Sequence, residues 1–475
     1  MERRDMAASR GLDLGCHPEC PSARRAGAHM ADCDARLGSS TMTAGGGSEA
    51  SARPRSGALR RLLGSRAALW TGFALVHALL VWVNLGGWGW PLGDVEVVYL
   101  NWAKAADEGW MRIGIDGPWV YPILAFAPMA ASLAFGASWY PETWLGLMTI
   151  LNAIAFGMLL GTRRLSRTRR VAAWWWLLFL ACLGPIALAR IDAVTVPLAL
   201  VGLLVAAGRP RIAAVLLTIA TWVKVWPAAL LAAVTVAHRR RFEVVVIAAS
   251  ISVGIVAVSF LAGSGLNVFG FLGEQTGRGL QVEAPFGVGW LWAIVAGSND
   301  VSVVYDRDIL TYQLSGPGVE IAAALATPAM AVAAVAIVLV GVRAVRRGAP
   351  IGRVLAPLSL ALVAALMLLN KVGSPQFAAW LAAPVVLGLA TRPLRFGLPA
   401  VLALVVAVLT QLIYPYWYAW LLAADPLFVT FLTLKAAGLL GLVVWSVRAL
   451  WQAGRERVAL ASPAFAGSPA LEEES

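Results

Sequence analysis

From residue 67 to residue 450 the chain alternates apolar runs of about 15–25 residues with short polar intervals, the length at which a helix can cross the hydrocarbon of a bilayer. Backbone polar groups in lipid must be satisfied within each segment. The pattern therefore predicts an all-α polytopic integral membrane protein with about twelve membrane segments. Residues 67–85, 142–161 and 244–261 read as full spans. Residues 121–136, YPILAFAPMAASLAFG, are apolar but short and open on a Tyr-Pro pair. They are expected to form a half-buried or re-entrant helix belonging to the loop before them.

Composition narrows the class. The chain is 59% hydrophobic and 13% charged, with a mean hydropathy of +0.74, which excludes soluble folds. Its 46 glycines and 25 prolines would disrupt soluble helices but are tolerated in bundled spans, where neighbours re-satisfy the freed backbone groups. One membrane domain is expected over residues 61–455. Residues 1–60, rich in Arg, Ala, Gly and Ser, and residues 456–475 lack apolar periodicity and are expected to be disordered tails. Cys16, His17, Cys20 and Cys33 have metal-ligand chemistry but sit in such a tail, and Met30 and Met42 offer alternative starts. Cys182 and His77, each inside an apolar run, read as packing residues.

Charge assigns the sides. Arg60, Arg61 and Arg66 precede the first span, and Arg163, Arg164, Arg167, Arg169 and Arg170 follow the next; the positive-inside rule puts both groups in the cytoplasm. Alternation then places Arg209 and Arg211, Arg239 to Arg241, Arg343 to Arg353, Arg392, Arg395 and Arg448 inside, with both termini. Between Arg163 and Arg457 these inner loops contain no lysine and only Glu243 and Glu456 as acids. The outer side receives residues 86–121, 190–192, 224, 262–318, 370–377 and 414–418. A plasma-membrane location follows. The net charge of +12 reflects orientation and contact with anionic headgroups, and gives no argument for nucleic acid.

Candidate chemistry lies on the outer side. Residues 86–121 carry Asp94, Glu96, Asp107, Glu108 and Asp116; either they keep a loop soluble or one of them does chemistry, and Asp94 is the candidate centre. Arg190, Lys224, Arg278 and Lys371 sit at or near span ends on the face that positive charge avoids, where a cation within hydrocarbon costs about 2.5–3.5 kcal/mol. Two kinds of anion can compensate them. One is the protein's own acids, Asp192 beside Arg190 and Glu283 near Arg278. The other is a bound phosphate or pyrophosphate, for which Arg supplies bidentate donors and Lys a point charge.

In chain order, GDVEVVYLNWA at 93–103, WVYP at 119–122, RID at 190–192, WVKVWP at 222–227, RGLQVE at 278–283 and NKVGSPQFAAW at 370–380 resemble the GT-C membrane glycosyltransferases. The resemblance is greatest to glycosyltransferase family 87, also called domain of unknown function 2029, which includes polyprenol-phosphate-mannose-dependent mannosyltransferases. It covers roughly residues 65–450. The NKV-x-SPQ element is also similar to the catalytic subunit of the first GPI mannosyltransferase. YPIL stands where the family usually has a double proline after the tyrosine.

The resemblance implies a GT-C fold. It also implies transfer of a hexose, mannose foremost, from a polyprenyl-phosphate-linked donor to a lipid or cell-envelope glycan acceptor on the extracytoplasmic face, with inversion. Asp94 would take the place of the catalytic aspartate and act as base on the acceptor hydroxyl, with Glu96 orienting Asp94 or the acceptor. Arg278, Lys371, Arg190 and Lys224 would bind the donor phosphate, and Tyr121, Asp192, Gln281, Glu283 and Gln376 would line the substrate site. No cofactor or metal is expected, because a monophosphate leaving group can be neutralised by Arg and Lys; the D-x-E pair of Asp94 and Glu96 keeps a metal as the alternative. A transporter or flippase of lipid-linked glycans is the rival class, yet no repeated half is visible in the hydropathy. A scaffold would leave the outer cations unexplained. The expected partners are the lipid-linked sugar, its acceptor and membrane lipids.

Overall fold

The computed structural model describes residues 64–455 apart from 308 and 393. The predicted tails over 1–60 and 456–475, with the four N-terminal Cys and His residues, lie outside the described residues. α1 (Arg66–Leu85) leads to a π-helical turn (Asp94–Tyr99) that continues directly into α2 (Leu100–Asp107), followed by α3 (Phe126–Ala131), α4 (Tyr140–Leu160) and α5 (Arg167–Leu183). Three short helices come next, α6 (Asp192–Val205), α7 (Pro210–Val223) and α8 (Pro227–Ala237), then α9 (Arg241–Leu261), α10 (Gly270–Thr276) and α11 (Val288–Val295). After β1 (Ser302–Asp306) and β2 (Thr311–Ser315) come α12 (Val319–Arg346), α13 (Ile351–Leu368) and a 3-10 turn (Pro375–Leu381). That turn enters α14 (Ala382–Thr391), and α15 (Gly397–Ile413), α16 (Tyr418–Leu422) and α17 (Pro426–Ala453) complete the order.

Helix starts follow from local chemistry. The Ser65 hydroxyl accepts from the Ala68 amide at 3.0 Å, the Ser166 hydroxyl from Arg169 at 3.2 Å, and the Asp425 carboxylate from Leu427 at 2.9 Å, each satisfying an orphan donor of a first turn. Among the described residues, seven helices are long and apolar enough to cross a membrane: α1, α4 with its 3-10 lead, α5 with the 3-10 turn after it, α9, α12, α13 and α17. Six further apolar helices are shorter, among them α6, α7 and α8. The expected span limits at 67–85, 142–161 and 244–261 agree with α1, α4 and α9 within three residues. Residues 121–136 form only a 3-10 turn (Ile123–Ala125) and the six-residue α3, too short to cross.

Burial separates lining from centre. Only 11% of the apolar window of α9 is buried against 72% for α13, so α9 turns its valines outward whereas α13 is the inner post, packed against α8, α12, α14 and α17. The described residues are mostly helical, as an all-α polytopic membrane protein requires, with one short hairpin added to the helices. β1 and β2 pair antiparallel from Ser302↔Ser315 to Asp306↔Thr311, with the Tyr305 and Tyr312 rings tilted against each other at 4.8 Å. Short runs rich in Val and Tyr suit a pleated ladder, and the hairpin belongs to the 262–318 loop, where no hydrocarbon demands a helix.

Candidate functional site

The π turn begins at Asp94. Its wider winding hands the Leu100 amide back to Val95, an extra residue per turn of the kind found at functional sites. Arg190, in the turn before α6, meets Asp94 through Nε at 3.0 Å. Its other nitrogens are engaged too: Nη1 donates to the carbonyls of Pro91 at 2.5 Å and Ala189 at 2.8 Å, and Nη2 to the Tyr414 hydroxyl at 2.8 Å. The guanidinium is thus locked in place, 5% exposed, while Asp94 keeps 39% of its side chain open. Arg190, expected on a donor phosphate, orients Asp94 instead.

Lys224, at the C-terminal end of α7, is likewise committed. Its Nζ lies 2.6 Å from Asp192 Oδ2 at the start of α6, 5.7 Å from the Tyr121 ring centre and 5.4 Å from that of Phe377. The second Asp192 oxygen accepts the Trp380 indole at 2.5 Å, and Trp380 stacks on Trp226 at 5.3 Å. A 14-residue helix rises about 21 Å, less than the roughly 30 Å of hydrocarbon. The ends of α6 and α7 therefore lie among other elements, and the ion pair is buried between them. Asp192 is a structural carboxylate here, with no side-chain surface to offer beyond 1%. Tyr121 hydrogen-bonds Tyr99, whose hydroxyl accepts the Ile191 amide at 3.3 Å. It is thereby tied to both groups.

RGLQVE and NKVGSPQ come together as one unit. The Gln281 amide donates to the Lys371 carbonyl at 3.0 Å, and the Val282 amide to Tyr312 at 3.1 Å. A Cβ on Gly373 would stand 2.1 Å from the carbonyl carbon of Glu283 and 2.2 Å from the Ala284 nitrogen, so only glycine lets this turn lie on the other strand's backbone. Gln281 and Gln376 are both buried. Arg278 and Lys371 stand as neighbouring cations. Burial, reinforced by Arg278, lowers the Lys371 ammonium below the usual lysine range. The Arg278 Nε is buried without a hydrogen-bond partner among the described residues.

Glu283 pairs with Lys435 of α17 at 3.7 Å, both nearly fully buried, and shares a hydrogen bond with Tyr418. Burial raises its carboxyl above the usual range, with Lys435 opposing. It also lies within electrostatic reach of Arg190, and Tyr414 and Tyr418 meet edge to face at 5.3 Å, which joins this pair to the Asp94 group. The proposed compensation of Arg190 by Asp192 and of Arg278 by Glu283 is corrected: Asp94, Lys224 and Lys435 take those positions. Lys435, Tyr414, Tyr418 and Trp380 escaped the sequence reading. A single lysine inside a 28-residue apolar helix was the available signal, since intramembrane charge marks function or a partner.

The remaining acids separate. Glu96 accepts the Trp90 indole at 2.5 Å, whereas Asp94 pairs with Arg190, so the two acids of the D-x-E pair have different partners. Asp116 forms a local bridge with Arg112 at 2.7 Å, which holds its carboxyl below the usual range. Asp107 and Glu108 are exposed. His77 stacks on Phe73 at 3.8 Å and bonds its carbonyl through Nδ1, as a packing residue does. Comparison with protein-family models, with curated proteins and with solved structures gives no match.

Proposed function

We propose that the chain transfers a hexose, mannose foremost, from a polyprenyl-phosphate-linked donor to a lipid or cell-envelope glycan acceptor, inverting the anomeric centre. The observation that carries this is the pairing of a half-open, rigidly held carboxylate, Asp94 on Arg190, with an adjoining cationic corner formed by Arg278 and Lys371. Transfer from a phosphate with inversion needs both parts. A base takes the acceptor proton on one face of the sugar, and preorganised cations receive the charge that builds on the departing phosphate on the other.

In this scheme Asp94 is the base and Arg190 positions it. Arg278 and Lys371 hold the phosphate, Lys224, itself fixed by Asp192, positions Tyr121 and Phe377, and Gln281, Gln376 and Glu283 wall the corner between them. Glu96 steadies the loop through Trp90. No metal is required, because the leaving monophosphate meets two cations of the protein. The arginine-rich, lysine-free inner loops favour cytoplasmic termini and an extracytoplasmic site in the plasma membrane.

The test is incubation of the purified full chain with polyprenyl-phosphate sugars and envelope lipids, with mass spectrometry of the lipid products. Asp94→Asn keeps the shape and removes the proton acceptor; loss of general-base catalysis corresponds to about 10²–10⁴-fold in rate. Asp107→Asn and Glu108→Gln are expected to match the wild type. Wild-type turnover by Asp94→Asn would remove the base assignment.

A further inference from the structure

α13 ends at the turn that carries Lys371, and its first turn lies at the opposite end of the bundle. There Arg353 of α13, Arg392 and Arg395 of the α14–α15 turn, and Arg448 of α17 line one cavity of about 280 Å³, together with Phe396, Trp445 and Gln452. The sequence builds this wall from three separated segments. The α14–α15 turn is closed by the amides of Arg395 and Phe396 on the Arg392 carbonyl at 3.1 and 3.2 Å. A Cβ on Gly388 would stand 2.1 Å from the Phe396 ring, so the glycine lets that ring lie on α14. The ring then meets Trp445 of α17 edge to face at 5.0 Å. Turn and helix are held together with their arginines on the same hollow.

Orientation in a membrane asks only that positive charge gather near one surface; it does not ask arginines from three segments to share a concave space. Nor is the last turn of α17 otherwise sparse in cations. On its other flank the Arg343 guanidinium stacks 3.5 Å from the Trp451 ring centre, and its Nη1 is buried with no hydrogen-bond partner among the described residues. All the basic residues are arginine, the side chain whose planar fork matches phosphate oxygens in pairs. Basic pockets between membrane helices recognise phosphate headgroups in this way. The volume falls just below the roughly 300–1,000 Å³ of drug-sized ligand sites, enough for a phosphate and its nearest substituents, with any chain left outside.

We propose that this cavity is a phosphate-binding site, distinct from the Asp94 end, which takes either the phosphate of an anionic lipid headgroup or that of a soluble pyrophosphate-type compound. The full chain in detergent is titrated with inorganic pyrophosphate by calorimetry. In parallel it is exposed to phosphatidylglycerol or phosphatidylcholine and examined by native mass spectrometry. Retention of phosphatidylglycerol over phosphatidylcholine assigns the lipid source, and pyrophosphate binding alone assigns the soluble one; either upholds the site. The double variant Arg392→Gln/Arg448→Gln weakens the bound species at least about tenfold, as expected for lost charge-assisted hydrogen bonds. Arg353→Gln gives a milder second test should the double variant fold poorly, and Lys371→Ala leaves this binding unchanged. Binding of neither probe, binding indifferent to the three arginines, or binding lost with Lys371→Ala overturns the proposal.

Discussion

At one end of the bundle Asp94, Asp192 and Glu283 each meet a cation from a different element: Arg190, Lys224 and Lys435. At the other end arginines crowd helix termini, and among the described residues Glu243, a third exposed, bridges Arg211 at 2.9 Å and Arg240 at 3.9 Å, both arginines being largely in the open. The difference is one of solvent. A charge that sets orientation can remain at a surface and needs no specific partner, whereas a charge taken into the interior needs one at a defined distance, because desolvation is offset only by good geometry. Buried pairing of opposite charges, as at Asp192–Lys224 and Glu283–Lys435, therefore distinguishes the end where chemistry is proposed from the exposed Glu243 bridges. Arg278 and Lys371 bring like charges within electrostatic reach of each other at this same end.

That contrast can be broken experimentally. After Asp94→Asn, the largest effect is expected at Lys371: removing a charge-assisted donor from a water-poor site costs about 2.7–4 kcal/mol in the transition state, roughly 100- to 1000-fold in rate. Lys371→Ala is thus nearly inactive in the product assay, and substantial turnover would return the lysine to a packing role. Next comes the buried Asp192–Lys224 pair. Lys224→Met alone strands a carboxylate and is expected to lose about 3–5 kcal/mol of stability, visible as a large drop in Tm in detergent. Asp192→Asn/Lys224→Met recovers most of it, since the uncompensated charge is gone. Equal Tm values for the single and double variants would mean that the two residues are not coupled.

A smaller effect is expected in pH dependence. Burial and the neighbouring Arg278 both lower Lys371, so the cationic form is lost at a lower pH than for an ordinary lysine, and activity that needs this charge declines early on the alkaline side. Arg278→Gln removes one of the two causes. Its alkaline limb moves to higher pH even though its rate is lower, and an unmoved limb would show that Lys371 does not set it. The smallest effect belongs to the other end: Arg211→Ala, in an exposed bridge to Glu243, leaves Tm within error, as expected for surface pairs.

The span limits were legible because length and apolarity decide them, and α1, α4 and α9 lie where the pattern put them. So were most members of the charged end, since the face that avoids positive charge makes each cation there conspicuous. Their partners were not. Arg190 and Asp192 are neighbours in sequence, but residues two apart at a helix start do not face each other, and the side chains diverge to Asp94 and Lys224. Glu283 is drawn from Arg278 toward Lys435 by Gly373, which seats the 370–376 turn against the Glu283 backbone. Such a contact depends on a missing side chain, and no charge pattern reports it. The β1–β2 hairpin was hidden in a loop read only for its acids.

The π-helical turn at Asp94–Tyr99 makes the site sensitive to chain length as well as to residue type. In an α-helix each residue advances the winding by roughly 100°, so deleting one residue such as Val97 would let the turn relax into ordinary α geometry at little cost to helicity. The same deletion would swing Asp94 about a quarter-turn around the axis, away from Arg190. Insertions and deletions, which point-substitution libraries omit, are thus the natural way to retune or silence this carboxylate while leaving every side chain of the bundle in place.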